Sequence, residues 1–102
     1  MIHLTSETRI MIAAKPIDFR KSIDALCSLC NYELKQNARN GTLFVFISRD
    51  ATKIRILTYE KNGFWLMTKR LSSGRFNLPK LGDGISNIQA SELRKILSGL
   101  CQ

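Results

Sequence analysis

Three stretches decide the fold: Leu43-Phe44-Val45-Phe46-Ile47, Lys53-Ile54-Arg55-Ile56-Leu57-Thr58-Tyr59 and Phe64-Trp65-Leu66-Met67-Thr68-Lys69-Arg70-Leu71. The first is apolar at every position, which predicts a central strand covered on both faces. The second alternates imperfectly, with Ile54, Ile56 and Thr58 on one side and Lys53, Arg55, Leu57 and Tyr59 on the other. Between the second and third, Glu60-Lys61-Asn62-Gly63 is a strong hairpin signal. An antiparallel meander of three strands follows.

Upstream, Arg9–Ala14 is short, apolar and partly β-branched, and Lys15-Pro16 stops it. It reads as a fourth strand. Pro16 and Asp18 introduce a helix with Asp18 as N-cap. Ile23, Leu26, Cys27, Cys30 and Leu34 then form one apolar stripe on a helix running to about Gln36, where Asn37–Gly41 ends it. Downstream, Ser72-Ser73-Gly74 breaks the last strand. Residues 75–88, with Pro79, Gly82 and Gly84, read as loop. A short helix covers Ala90–Ser98, with Leu93, Ile96, Leu97 and Leu100 inward and Gly99 at its end. The expected fold is α+β: an antiparallel sheet of about four strands, a longer N-terminal helix and a short C-terminal one.

The chain's 102 residues suit one domain spanning 1–102, and no repeat or linker interrupts it. Its apolar fraction of 44% fits a globular domain and excludes extensive disorder. The longest apolar runs, Ile10–Ala14 and Leu43–Ile47, are about a quarter of a membrane span, so no membrane partner is expected. The first residues lack a basic segment followed by an apolar one, and three cysteines (27, 30, 101) are too few for a disulfide scaffold. Both point to the cytoplasm, and DNA binding would add association with the nucleoid.

Sixteen Lys+Arg face eight Asp+Glu, a formal net charge of +8. The excess is localised. Residues 43–80 carry Arg49, Lys53, Arg55, Lys61, Lys69, Arg70, Arg75 and Lys80 against Asp50 and Glu60, while residues 81–102 balance. Such clustering predicts a basic surface with an anionic partner. On the hairpin, a two-residue turn at Asn62-Gly63 sets Arg55 opposite Arg70, and a three-residue loop sets it opposite Lys69. Either way two cations face each other, an arrangement destabilising by a few tenths of a kcal/mol to about one. An anionic partner would turn that cost into binding; side chains that simply splay into water are the plain alternative. Arg49, Lys53 and Arg75 add to the set. Arg20 and Lys21 fall in the expected first helical turn, where cations are unfavourable unless they help hold a phosphate or pair with Asp18, Asp24 or Glu7.

Trp65, Tyr59, Phe64 and Phe76 interleave with these cations. They read as stacking surface or as packing, with Trp65 and Phe76 the candidate partner anchors. Phe76, which follows the flexible Ser72-Ser73-Gly74-Arg75, equally suits a loop anchor in the core. Cys27 and Cys30 lie on the helix stripe and suit small buried apolar residues better than a metal or redox pair. One histidine, no phosphate-binding glycine loop and no converging carboxylates argue against an enzyme; no catalytic residue, metal, cofactor or small-molecule substrate is expected.

The ordered segments also resemble a known family. Asp18-Phe19-Arg20-Lys21-Ser22-Ile23-Asp24 resembles its Asp-x-Arg-Lys-Gly-x-Asp-Gly block. Leu43–Phe46, Arg49 and Lys53–Leu57 resemble its central strands. Gly63–Leu66, Lys69-Arg70-Leu71 and Gly74-Arg75-Phe76 resemble its Lys-Arg-Leu-Glu-x-Gly-Arg-Phe block. Across Arg9–Leu100 the chain is similar to the small accessory protein, TnpB, encoded by the second open reading frame of insertion sequence 66 elements. Departures are Ser22 and Ala25 for glycines, Glu60 for Asp, Ser72 for Glu and Gln89 for Thr. The resemblance implies a role in transposition beside a separate, larger transposase that carries the catalytic carboxylates. The expected function is therefore a non-catalytic accessory factor. It would bind element-end DNA through Arg49, Lys53, Arg55, Lys69, Arg70 and Arg75, extended by Arg20 and Lys21. The alternative is an adaptor that docks an acidic patch of the transposase.

Overall fold

The structure is a computed structural model that describes residues 4–99. Five strands form one mixed sheet: β1 (Ile10–Ala13), β2 (Leu43–Ile47), β3 (Lys53–Glu60), β4 (Gly63–Arg70) and β5 (Ile85–Ile88), in the spatial order β4-β3-β2-β1-β5. β2 is central and every residue of it is buried. Alternation sends Leu43, Val45 and Ile47 to one face and Phe44 and Phe46 to the other. The reason for its unbroken apolar run is that a helix covers each face.

α1 (Ile23–Ser28) runs directly into a π-helical turn, Leu29–Glu33. Leu26 and Cys30 from this segment meet Met11, Phe44, Phe46 and Leu57. On the opposite face α2 (Ala90–Ser98) brings Leu93 and Ile96 against Ile10, Ile12, Val45, Ile54 and Ile56. α2 begins where Glu92 Oε1 accepts the Gln89 N–H at 2.9 Å, and ends at Gly99 with φ 72°. Leu97 packs beside this core as expected, whereas Leu100 and Cys101 lie outside the described residues.

Four features differ from the sequence reading. The sheet is not wholly antiparallel: β1 pairs with β2 in parallel, Ile10 beside Leu43, and the α1 segment makes the crossover. Within the expected loop 75–88, Ile85–Ile88 forms an edge strand antiparallel to β1. Its two polar central residues and flanking glycines hid it, because an edge needs little apolar content.

The N-terminal helix is also shorter than Asp18–Gln36. Asp18 does not cap it; its Oδ1 instead accepts the Arg20 N–H at 2.9 Å in a local turn. Ser22 is the N-cap, its Oγ accepting from Ala25 N–H. At the far end, Leu34 N–H reaches Leu29 O and Gln36 N–H reaches Cys30 O, widening the coil before Lys35 turns left-handed at φ 56°. Arg20 and Lys21 therefore precede the helix rather than occupy its first turn.

The fourth difference is the hairpin register. Lys61-Asn62 is the two-residue turn, with Lys61 at φ 59°, and Glu60 pairs with Gly63. This register places Leu57 opposite Leu66, Ile56 opposite Met67 and Tyr59 opposite Phe64. A turn at Asn62-Gly63 would instead set Lys69 opposite the buried Ile56. Apolar pairing decides the register over turn propensity.

Among the described residues, no helix is long and apolar enough to cross a membrane. Because β2 is the shared wall of both cores, Phe46→Ala should lower the unfolding free energy by about 3–5 kcal/mol. Tyr32→Ala, at a side chain 72% exposed, should change it by less than about 0.5 kcal/mol. Urea unfolding followed by circular dichroism measures both.

Candidate nucleic-acid interface

On the α1 side of the sheet, β3 carries Lys53 and Arg55 beyond the ground covered by α1. The same register that pairs the apolar residues sets Lys53 opposite Arg70 and Arg55 opposite Thr68. Both are pairs that make no ladder hydrogen bonds, since the Leu71 N–H to Thr52 O bond at 2.9 Å fixes the alternation. Side chains stand closest in such pairs. Arg55 thus faces neither Arg70 nor Lys69, as either sequence register had it. The opposed cations are Lys53 and Arg70.

Arg55 is held at three points. Its Nε donates to Thr68 Oγ1 at 3.0 Å and its NH1 to the Lys21 carbonyl at 3.2 Å. Its guanidinium lies 4.9 Å from the centre of the Phe19 ring, and the Lys53 ammonium lies 6.0 Å from the same ring. Phe19 therefore gathers two cations, a role the residue pattern alone did not reveal. An aromatic set between Asp18 and Arg20, just past a proline, is the signal that was there to read.

Two loops complete the surface. After β2, Asp50 Oδ1 accepts from Ser48 Oγ (2.8 Å), Thr52 Oγ1 (2.7 Å) and Thr52 N–H (3.1 Å). This network fixes a turn in which Ala51 takes φ 61° and Arg49 projects into solvent. The Ser48-x-Asp50-x-Thr52 spacing is its sequence mark. After β1, Arg20 closes on Asp18 with NH2 to Oδ2 at 2.8 Å. Ile17–Arg20, Ser48–Asp50, Lys53, Arg55 and Thr68 line one open groove of about 720 Å³.

Four cations, Arg20, Arg49, Lys53 and Arg55, line it against two carboxylates, Asp18 and Asp50. Hydrogen bonding from Arg20 holds Asp18 at about 2, and hydrogen bonding from Thr52 and Ser48 holds Asp50 at about 2. Arg49, Lys53, Arg55 and Arg70 make no ion pair with a described carboxylate. Asp18 neutralises Arg20 and the Asp50 charge is felt at Lys53, so the groove keeps a net positive charge that its own carboxylates only partly offset.

The other expected residues fall elsewhere. Lys69 points to the α2 side, where its ammonium donates to the Leu97 carbonyl at the end of α2. Arg75 is exposed on the segment after β4, anchored as Phe76 N–H bonds Ala51 O at 2.7 Å. Phe76 is not a surface anchor: it is 4% exposed and sits in the α2-side core, pinning that loop. Trp65 is 57% exposed, its indole N–H bonded to Glu60 Oε1 at 3.0 Å. Tyr59 and Phe64 pack edge-to-face on each other at 4.9 Å. Cys30 is buried, which pushes its thiol up to about 12, the opposite of a reactive thiolate.

The profile of the IS66 Orf2-like proteins matches residues 8–102. The chain belongs to the IS66 Orf2-like family. Two Sinorhizobium fredii relatives, the uncharacterized proteins y4jC and y4hO, are each 32% identical over 100 residues. The alignments cover 98% of this chain and 86% and 87% of the relatives. No solved structure matches it.

For this IS66 Orf2-like protein the two carboxylates offer a direct check on the groove. Each is lowered from 3.8 to about 2 in the fold, so each stabilises it fully above about pH 4, and that contribution disappears as pH falls toward 2. NMR titration should show both midpoints near 2. In Arg20→Ala the Asp18 midpoint should return toward the ordinary range, while that of Asp50 stays.

Proposed function

We propose that this protein is a non-catalytic accessory factor of transposition that binds nucleic acid, element-end DNA above all, along the groove and its β4 margin. Membership of the IS66 Orf2-like family supports the transposition role. The observation that carries the binding is the convergence of Arg49, Lys53 and Arg55 on one groove, with Arg70 at its margin and more cations than carboxylates along it. Lys53 and Arg70 face each other where side chains are closest, an arrangement the sheet itself does not need. A phosphate backbone relieves it.

Arg49, Lys53 and Arg70 are the phosphate contacts, with Arg55 fixed between them by Thr68, Lys21 and Phe19. Because Phe19 is occupied by cations, the groove is built for phosphates rather than for stacked bases. Arg20, engaged by Asp18, is a rim residue, as is Lys21, whose carbonyl holds Arg55; Lys69 on the opposite face and Arg75, on the loop that Phe76 pins to the α2-side core, are outside the set. Such contacts are largely sequence-independent and release counter-ions.

Fluorescence anisotropy with duplex DNA across a salt series tests this. Wild type should give a steep negative slope of log affinity against log salt. Arg49→Ala and Lys53→Ala should each flatten it by about one ion, while Lys95→Ala on α2 leaves it unchanged. A slope equal in all four proteins would refute the groove as the DNA surface. Binding of purified transposase instead, retained after nuclease treatment and lost in Lys53→Ala, would identify the groove as a protein-docking surface.

A further inference from the structure

β4 is an edge strand of eight residues. Among the described residues no strand lies beyond it. In the β3–β4 ladder Glu60–Gly63, Thr58–Trp65, Ile56–Met67 and Ile54–Lys69 are the hydrogen-bonded pairs, in phase with the Leu71 to Thr52 bond. The N–H and C=O groups of Phe64, Leu66, Thr68 and Arg70 therefore point away from β3, along the open edge. No proline or bulge interrupts this edge, and beside it stands Trp65, one of two large apolar side chains exposed on the described surface.

We propose that the β4 edge pairs antiparallel with β4 of a second copy, on a two-fold axis through Met67. This register uses all four outward-facing residues: Phe64 pairs with Arg70 of the second copy and Leu66 with its Thr68. The side-chain chemistry is self-complementary. On the α2 side Trp65 stands across from Lys69 of the second copy, whose ammonium bonds its own Leu97 carbonyl and leaves the aliphatic stem to pack on the indole. Met67 meets itself. On the α1 side the Phe64 ring faces the guanidinium of Arg70. No two cations oppose each other across the axis, whereas sliding the strands four residues out of this register sets Lys69 against Lys69. One isologous interface thus joins two five-stranded sheets into one.

A two-fold perpendicular to the sheet keeps both α1 faces on the same side. If the groove binds nucleic acid as proposed above, the dimer offers two grooves on one surface, offset by roughly 20 Å along the strands. The dimer itself is independent of that reading, and it is tested without DNA.

Sedimentation velocity of the full chain should give a dimer. Trp65→Lys sets a second ammonium against Lys69 of the other copy and should yield a folded monomer by circular dichroism. Adding Lys69→Glu should restore the dimer through the new opposite-charge pair. In a Cys101→Ser background, Met67→Cys should form an intermolecular disulfide under mild oxidation, while Asn87→Cys on the opposite edge strand should not. A wild-type monomer up to its solubility limit, or a Trp65→Lys dimer as tight as wild type, overturns the proposal. So does a Met67→Cys protein that stays uncrosslinked.

Discussion

The pairing of Glu60 with Gly63 across a two-residue turn governs most of what this structure presents to solvent. Side chains along a strand alternate between faces, so one register decides every neighbour at once. With Leu57 on Leu66 and Ile56 on Met67, the hairpin closes its apolar rows. The same arithmetic then places Lys53 against Arg70 and Arg55 against Thr68 at the far end. The burial that stabilises the hairpin thereby creates the opposed cations. The fold tolerates them because long side chains at a sheet margin remain hydrated, and because Thr68, the Lys21 carbonyl and Phe19 hold Arg55 in place.

The two cores explain why the charge collects on one side. α1 and its π-helical turn cover Phe44, Phe46 and Leu57, leaving the Lys53 end of β3 free on that face. There the turn after β2 and the segment after β1 close in, each braced by a carboxylate that its own loop satisfies. Asp50 stiffens the turn that displays Arg49, and Asp18 binds Arg20. The carboxylates serve the loops and are outnumbered by the cations around them. On the α2 face the chemistry differs: Lys69 completes the end of a helix, and Phe76 fastens the loop that carries Arg75.

Much of this was legible in the residues. The unbroken run Leu43–Ile47 predicted a strand with two covered faces, and helices cover both. A helix over roughly Ala90–Ser98 was readable, because amphipathic spacing gives its face and Gly99 its end. The small, apolar character of Cys27 and Cys30 followed from their place on the helix stripe. What was not legible depended on neighbours distant in sequence. Nothing local in Ile85-Ser86-Asn87-Ile88 announces a strand; β1 makes it one by offering a free edge. Asp18 looks like a helix cap until its carboxylate is seen turned onto Arg20, and Phe76 looks as suited to the surface as to the core until α2 and β3 enclose it.

The residue pattern was enough for four of the five strands, the C-terminal helix, the α+β class, the charge excess in residues 43–80 and, through its blocks, the family. These rest on periodicity and composition, which act over a few residues. Which cations share a surface depends instead on how distant segments pair. That pairing split Lys69 from Arg70 although they are adjacent, since successive residues of a strand face opposite ways. It also joined Arg49, Lys53 and Arg55 to Arg20 and Phe19 across about thirty positions of chain. Register and face are properties of pairing between distant segments, and they are set by how the apolar rows close.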